Sequence, residues 1–447
     1  MALVQPFCAW RYNVSRVGDL SLVTAPPYDV IDPALQEQLL AHPYNILWLD
    51  LHPASADERQ HPNRYERAAA LWQQWREEGI FVRDSRPAFY LYEQEYTLAG
   101  KVYRRRGVIG RVQLEEPGEG FIFPHEETLT APLADRLALM KATHCNLSQI
   151  LGLYPDARGA VMALLEPATA RNPDVQVIDR EGIVNRIWAI RERACLAQIT
   201  ALFSSKPLFI ADGHHRYKTA LAYRDWLQER QGDLPPSHPA NFVSFVGVSL
   251  SDPGLTVFPT HRCVSRLEGF SVARLRAVSE KHFVWEEGTF PPDRPEVLDE
   301  HLRRADASLI GVFDPTGPRM FWLHPRQEDP LAALLPDHSR SWRKLAVALL
   351  HRLLFDRCLI PAFGEPTVNY VPWTAEAIRR CREQESQVAF LLPPPPLEAF
   401  QSIVQNRELM PPKSTYFYPK PLTGLVLYSL EEEAPRAGEI KANEALC

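Results

Sequence analysis

The sequence predicts an α+β protein, a mixed α/β chain in which strands and helices interleave from end to end. Three observations carry that expectation. Apolar residues recur at spacings of three and four in some segments and as alternation or short unbroken runs in others, so helical and strand periods are both present. The composition, 45% hydrophobic and 23% charged, is that of a globular chain and excludes collagenous, coiled-coil and disordered classes. The length, 447 residues, allows two or three domains with a core in each, and 40 prolines against 21 glycines supply the breaks between them.

Taken in chain order, Tyr65, Ala68, Ala69, Trp72 and Trp75 mark a one-sided helix between Arg64 and Glu78. The segment AFYLYEQEYTL alternates as a strand, turns at Ala99–Gly100 and returns around RRGVIGRVQL, which predicts a hairpin. Helical patterns follow at 134–150 and 187–202, and a short buried strand, PLFIA, precedes DGHHRYKTALAYRDWLQ. QGDLPPSHPA (231–240) is a turn-rich break before the strand NFVSFVGVSL. Further strands (HFVWEE, SLIGVFD, QVAFLL) and helices (342–358, 374–385) lie between the Pro-rich breaks at 289–298 and Pro393 to Pro396. The predicted division is therefore a first domain over 1–230, a second mixed α/β region over 241–430, and a disordered tail over 431–447, where apolar content is too low to repay ordering.

Charge and cysteine usage narrow the function. A formal net charge of −6 offers no global field for nucleic acid or an anionic membrane, so any anion site must be local. Seven cysteines without a C-x-x-C pair argue against a zinc site or a disulfide framework. The first residues lack a basic and apolar leader and no run of 18 apolar residues occurs, so a cytoplasmic protein is expected. The fingerprints G-x-G-x-x-G and G-x-S-x-G are absent, as are the protein-kinase and zinc-deaminase signatures, which disfavours the enzyme classes that carry them.

The most informative segment is Pro207 to Leu227, an apolar strand that ends in Asp212–Gly213 and passes directly into a helix. Gly213 permits a positive φ, and Asp212 is a natural N-cap. His214, His215, Arg216 and Lys218 then crowd the first turn, where the helix dipole disfavours cations by roughly 0.3–1 kcal/mol each. A bound anion reverses that sign, so Gly213 to Arg216 reads as a phosphate cradle. The plainer alternative is a solvated basic turn with His214 satisfied in the core.

Other clusters are more ambiguous. In APPYDVI two prolines present Asp29 rigidly; it is either a working carboxylate or the cap of a helix beginning near Pro33, a task Asp32 can also perform. PHEETL gathers His125, Glu126, Glu127 and Thr128, with Asp135, Arg136, Lys141 and Asn146 downstream, as a polar pocket or a charged helix with its caps. PTHR places His261 and Arg262 after a strand, a second small cationic site. PPKSTYFYPK holds Lys413, Ser414, Thr415 and Lys420 in a stiff loop that either binds phosphate or covers the core; no Walker glycines precede it.

APPYDVI, FPHEETL with DRLALMKATHCN, IADGHHRYKTAL, PTHR, and MPPKSTYFYPK with LTGLV resemble, in order and from end to end, domain-of-unknown-function family 1015. ADGHHRYKTALAY is also similar to the Gly-x-His-Arg turn of the ParB and sulfiredoxin-like superfamily, which includes free-serine kinases. The resemblance implies a ParB/sulfiredoxin-like nucleotide-binding core and a small-molecule kinase using ATP or ADP, with Mg²⁺. It would act on a hydroxyl such as that of free serine. Gly213, His214, His215 and Arg216 would hold phosphates, and Asp29, Asp212 and His214 would serve catalysis. His125, Glu126, Arg136, His261, Arg262, Lys413, Ser414 and Thr415 would contact substrate or support the site. The expected partners are a nucleotide and a small acceptor, with neither nucleic acid nor membrane. Two alternatives share the cradle: a phosphohydrolase working through His214 or His215, and a non-catalytic nucleotide sensor.

Overall fold

A computed structural model describes residues 2–53, 63–116, 120–126, 130–289, 294–316 and 319–432. The chain divides into two compact units, Met1–Pro124 with Thr128–Leu255 and Pro419–Cys447, and His125–Glu127 with Thr256–Tyr418. The proline break at 231–240 falls inside the first unit, because the strand after it lies in the middle of that unit's sheet. Of the tail expected at 431–447, residues 433–447 lie outside the described residues, while Glu431 pairs with Arg76 at 2.8 Å.

The first unit is built on a nine-stranded mixed sheet: β1 (Val4–Gln5), β2 (Phe89–Leu98), β3 (Lys101–Gln113), β4 (Ile122–Pro124), β5 (Ile150–Tyr154), β6 (Val175–Ile178), β7 (Val184–Ile190), β8 (Leu208–Asp212) and β9 (Phe242–Ser249). The order is β4-β8-β5-β9-β3-β2-β7-β6, with β1 also on β3. β4 and β8, and β5 and β9, run parallel; the remaining neighbours are antiparallel. The expected hairpin is β2–β3, closed by Ala99 at φ +48° and Gly100 at φ +75°. Two positive φ values in a two-residue loop give the turn twist that matches right-twisted strands.

The longer helices of this unit are α1 (Pro33–Leu40), α2 (Arg64–Glu77), α3 (Thr130–Thr143), α4 (Arg193–Phe203) and α5 (His214–Gln231), with single turns such as Leu47–Asp50 between them. α2 starts at a reciprocal Asn63–Glu66 capping box and buries Ala68, Trp72 and Trp75. Two expected helices are shorter than their periodicity suggested. The one expected at 134–150 stops at Thr143, where His144 turns to φ +48°, and the following residues pair as strands instead. IWAI (187–190), the start of the helix expected at 187–202, belongs to β7, held by seven registered partners on β2. In both cases tertiary pairing overrides a local helical spacing.

The second unit carries an antiparallel six-stranded sheet of β10 (His261–Ser265), β11 (Phe283–Thr289), β12 (Ile310–Phe313), β13 (Arg319–Pro325), β14 (Thr367–Val371) and β15 (Val388–Leu391), in the order β11-β13-β12-β15-β10-β14. The expected strands HFVWEE, SLIGVFD and QVAFLL are all in it. The helix expected at 342–358 is broken into Arg340–Arg343, Ala346–Leu349 and a wider-pitched turn region Leu350–Leu359. Among the described residues no helix is long and apolar enough to cross a membrane.

Candidate functional site

The site begins where β8, buried along its whole length, meets α5. Gly213 makes the junction at φ +90° and ψ 28°, and no side chain caps the helix. Only glycine fits twice over: the φ is left-handed, and a Cβ would stand 2.9 Å from Arg216 Nε and Nη2 and 3.0 Å from Ile150 Cγ2. Asp212 is not the N-cap that its position suggested. Its Oδ2 accepts from Arg216 Nη2 at 2.6 Å, and its Oδ1 accepts from Lys420 Nζ. Burial pushes the Asp212 carboxyl up, but Lys420 and Arg216 outweigh it and hold the group well below the usual carboxylate range. The cations of the first turn are thus partly compensated within the chain, a correction to the reading of a bare basic turn. His214 is buried and His215 half-buried.

Lys420 is aimed by the sheet. Arg105 Nη2 donates to the Pro419 carbonyl, Gln94 Nε2 to the Lys420 carbonyl at 3.1 Å, and the Leu422 amide to Tyr92 Oη at 3.2 Å. Arg216 is steadied from the other side, Nη1 donating to Ser148 Oγ at 3.1 Å and to the Gln149 carbonyl.

Arg216 also borders a half-open cavity of about 40 Å³, lined with Tyr28, Asp50, Arg136, Asn146, Ser148 and Thr219 among others. Three of the motifs meet there: Tyr28 from APPYDVI, Arg136 and Asn146 from DRLALMKATHCN, Arg216 and Thr219 from DGHHRYKTAL. Arg136 Nη1 donates to the Asp50 carbonyl at 2.8 Å and to Asp50 Oδ1 at 3.0 Å, while its Nη2 lies 2.6 Å from Asp135 Oδ2. Asp135 is itself held by Arg64 at 2.5 Å and Tyr65 Oη at 2.8 Å. The Tyr28 ring covers the Arg136 guanidinium at 4.3 Å, and burial raises the Tyr28 hydroxyl to about 12. Burial also raises the Asp50 carboxyl against the pull of Arg136 and Arg216. Three lining residues keep a buried polar atom without a hydrogen-bond partner: Asp50 Oδ2, Asn146 Nδ2 and Arg216 Nε.

Asp29 sits one residue beyond Tyr28, exposed. Asp32 caps α1 by accepting from the Leu35 amide at 2.8 Å, so Asp29 has no capping duty. Asp50, Ser148 and Thr219 were not singled out by the sequence. The one signal for Asp50 is a carboxylate embedded in the apolar run LWLDL.

The remaining expected residues gather in the second unit, and there the structural readings prevail. PTHR is not a cationic strand end: His261 and Arg262 lie within β10 at 1% and 0% exposure. Arg262 donates to the carbonyls of Thr260 and Lys413, the latter at 2.9 Å, and burial lowers its guanidinium to about 10. The Leu392 amide donates to His261 Nδ1 at 3.2 Å, so Nε2 carries the proton and donates to Thr374 Oγ1 at 3.0 Å. Burial, then Arg262, lowers His261 to about 3. The phosphate reading of Lys413–Thr415 also gives way. Glu126 already accepts from the amides of Lys413 (3.1 Å), Ser414 (3.0 Å) and Thr415 (3.3 Å), with Lys413 at φ +57°. His125 Nε2 lies 2.9 Å from Thr415 Oγ1. Glu127 and Thr128 lie outside the described residues. Among the described residues no group of three or more His, Cys, Asp or Glu is arranged to hold a metal ion.

The family described as Protein of unknown function (DUF1015) matches residues 4–348. None of the curated proteins matches. Among solved structures, SbnI with a C-terminal truncation, from Staphylococcus aureus, is 14% identical, with 73% of this chain and 91% of that one covered at a TM-score of 0.35. A free serine kinase in complex with AMP is 12% identical, covering 66% and 83% at 0.31. A conserved hypothetical protein from Pyrococcus furiosus is 13% identical, covering 70% and 93% at 0.32.

Proposed function

Since the chain belongs to the DUF1015 family of proteins of unknown function, we propose its activity from the site itself: a nucleotide-dependent phosphotransferase acting on a hydroxyl of a small molecule, free serine being one candidate. The observation that carries the reading is a pair of cations gathered at the start of α5. Arg216 and Lys420 both contact one carboxylate, Asp212, beside a helix N-terminus that no side chain caps. The helix dipole adds positive potential at the same point. Phosphates of ATP or ADP are the natural complement, held by the first-turn amides, Arg216 and Lys420. The nucleotide would supply the transferable group; the chain's residues orient it and neutralise its charge. Both Asp212 oxygens are engaged, so Mg²⁺ would enter with the phosphates and not on this carboxylate. Asp29, exposed and without a structural duty, is the proposed general base on the acceptor hydroxyl.

Calorimetric titration of ATP and ADP tests the reading. Wild-type protein should bind one of them saturably. Lys420→Met should weaken binding by about one to two powers of ten, as expected for loss of a charge-assisted contact worth roughly 1.5–3 kcal/mol. Gly213→Ala should weaken it as well, by displacing Arg216. Absence of nucleotide binding to the wild type, or undiminished binding to both variants, would overturn it.

A further inference from the structure

The backbone of Lys420 is fixed from both sides. It stands between Pro419 and Pro421, whose rings lock φ and keep the residue before Pro421 out of the helical region. The carbonyl before its Cα, that of Pro419, accepts from Arg105 Nη2, and the carbonyl after it accepts from Gln94 Nε2 at 3.1 Å. Two residues on, the Leu422 amide donates to Tyr92 Oη at 3.2 Å.

These donors belong to one rung of the sheet. Asn185 on β7 pairs with Gln94 on β2, and Gln94 with Arg105 on β3, so the three side chains share a face. The rung is bonded along its length: Arg105 Nη2 also donates to Gln94 Oε1, Gln94 Nε2 to Asn185 Oδ1 at 3.0 Å, and Tyr92 Oη to the same oxygen at 2.7 Å. Asn185 Nδ2 donates in turn to the Ile183 carbonyl at 3.1 Å and to Asp179 Oδ2 at 3.2 Å. All three members are buried, and among the described residues no carboxylate is bonded to Arg105. Burial lowers its guanidinium, as expected for a cation taken out of water without a contacting counterion. Apolar side chains would fill the same rung without that cost. What the polar rung adds is direction, since a bonded network of this kind holds its members in one arrangement, and it ends on the backbone of Pro419 to Leu422.

We propose that Arg105 and Gln94 are positioning residues, which fix the peptide planes on either side of Lys420 so that its ammonium stands on Asp212 at the start of α5. A free lysine side chain samples many rotamers; placing its Cα narrows where Nζ can reach. The Lys420 side chain is accordingly only 11% exposed and in contact with Asp212 Oδ1. The inference rests on the phosphotransferase reading only in what Lys420 is held for.

Acylation of the full chain with N-hydroxysuccinimidyl acetate, read lysine by lysine by peptide mass spectrometry, reports the hold directly. In the wild type Lys420 should react slowly. Arg105→Met, which keeps an apolar stem and removes the donor, should raise the Lys420 rate at least tenfold, whereas Lys206, paired with Asp156 at 3.2 Å in the same unit, should keep its rate. Loosening of the whole unit would raise both, so the selective change is one that a merely structural role does not produce. Should Arg105→Met fail to fold, Gln94→Met, which leaves Arg105 on the Pro419 carbonyl, carries the same test with an expected rise of at least threefold. A Lys420 rate within twofold of the wild type, or a Lys206 rate that rises in step, would overturn the inference. ADP titration separates it from the reading it deepens. If the wild type binds ADP, Arg105→Met and Lys420→Met should weaken binding by similar factors, and the double variant by no more than threefold beyond the worse of them; losses that multiply would overturn the positioning role. If the wild type binds neither ADP nor ATP, the phosphotransferase reading fails, and the acylation rates still decide whether the rung positions Lys420.

Discussion

A His-Arg pair beside a strand occurs in both units, at His215–Arg216 and at His261–Arg262, and the two come to opposite ends. Arg216 meets a carboxylate, Asp212, and keeps Nε unsatisfied beside a cavity. Arg262 is wholly buried between two strands of a sheet and is bonded to carbonyls and to His351 Nε2 at 3.2 Å, with no carboxylate in contact among the described residues. A cation surrounded by neutral acceptors is a tie between backbone segments; a cation paired with a carboxylate at an uncapped helix start is the one on which the proposed phosphate site is built. The difference lies in what surrounds the guanidinium, which the dipeptide alone does not reveal.

If Arg262 is such a tie, its truncation should have the largest effect on stability. Arg262→Ala leaves a cavity and strands the Thr260 and Lys413 carbonyls, so unfolding free energy should fall by about 3–5 kcal/mol, read from urea curves. A change under about 1 kcal/mol would show that these carbonyls find other donors. Arg216→Ala should cost less, about 2–3 kcal/mol, because Asp212 keeps Lys420. A neutral or stabilising result would revive the first expectation, of a basic turn without internal compensation.

The two regions should also separate by pH. His261 is lowered to about 3 in the folded state against about 6.5 unfolded, so its contribution is complete above about pH 6.5 and declines as pH falls toward 3. Between about pH 6.5 and 5 that amounts to roughly 2 kcal/mol. Asp212 is depressed below the usual carboxylate value, so its contribution is intact above about pH 4 and erodes only below it. His261→Gln preserves both hydrogen bonds and removes the titration. Its urea midpoint should therefore fall less than that of the wild type between about pH 7 and 5, and an equal fall would remove His261 from the account.

Much of this was legible in advance, though unevenly. The β2–β3 hairpin and α2 followed from periodicity and turn chemistry, which are local. The glycine junction at α5 was legible for the same reason, since strand, Gly213 and helix are adjacent in sequence. Lys420 on Asp212, 208 residues away, and Glu126 on the 413–415 amides, 287 to 289 away, are long-range pairings that spacing cannot express. Asp50 was hidden for a related reason: a lone carboxylate in LWLDL is informative only once Arg136 is known to hold one of its oxygens.

The smallest expected structural effect belongs to Asp29. Its side chain is exposed and neighbours Tyr28, which lines the cavity, while Asp32 performs the capping that Asp29 was weighed for. Asp29→Asn should therefore leave unfolding within about 0.5 kcal/mol of the wild type, as for surface changes away from caps and buried networks. Nucleotide affinity should also be unchanged, since the proposed phosphate contacts are at Gly213 to Arg216 and Lys420. What should change is turnover: a base acting on the acceptor lowers kcat without raising KM. Steady-state kinetics with a panel of hydroxy and amino acids reads the split. If Asp29→Asn turns over at the wild-type rate, the base is another group, and Asp50, the buried carboxylate among the residues lining the cavity, becomes the next one to replace.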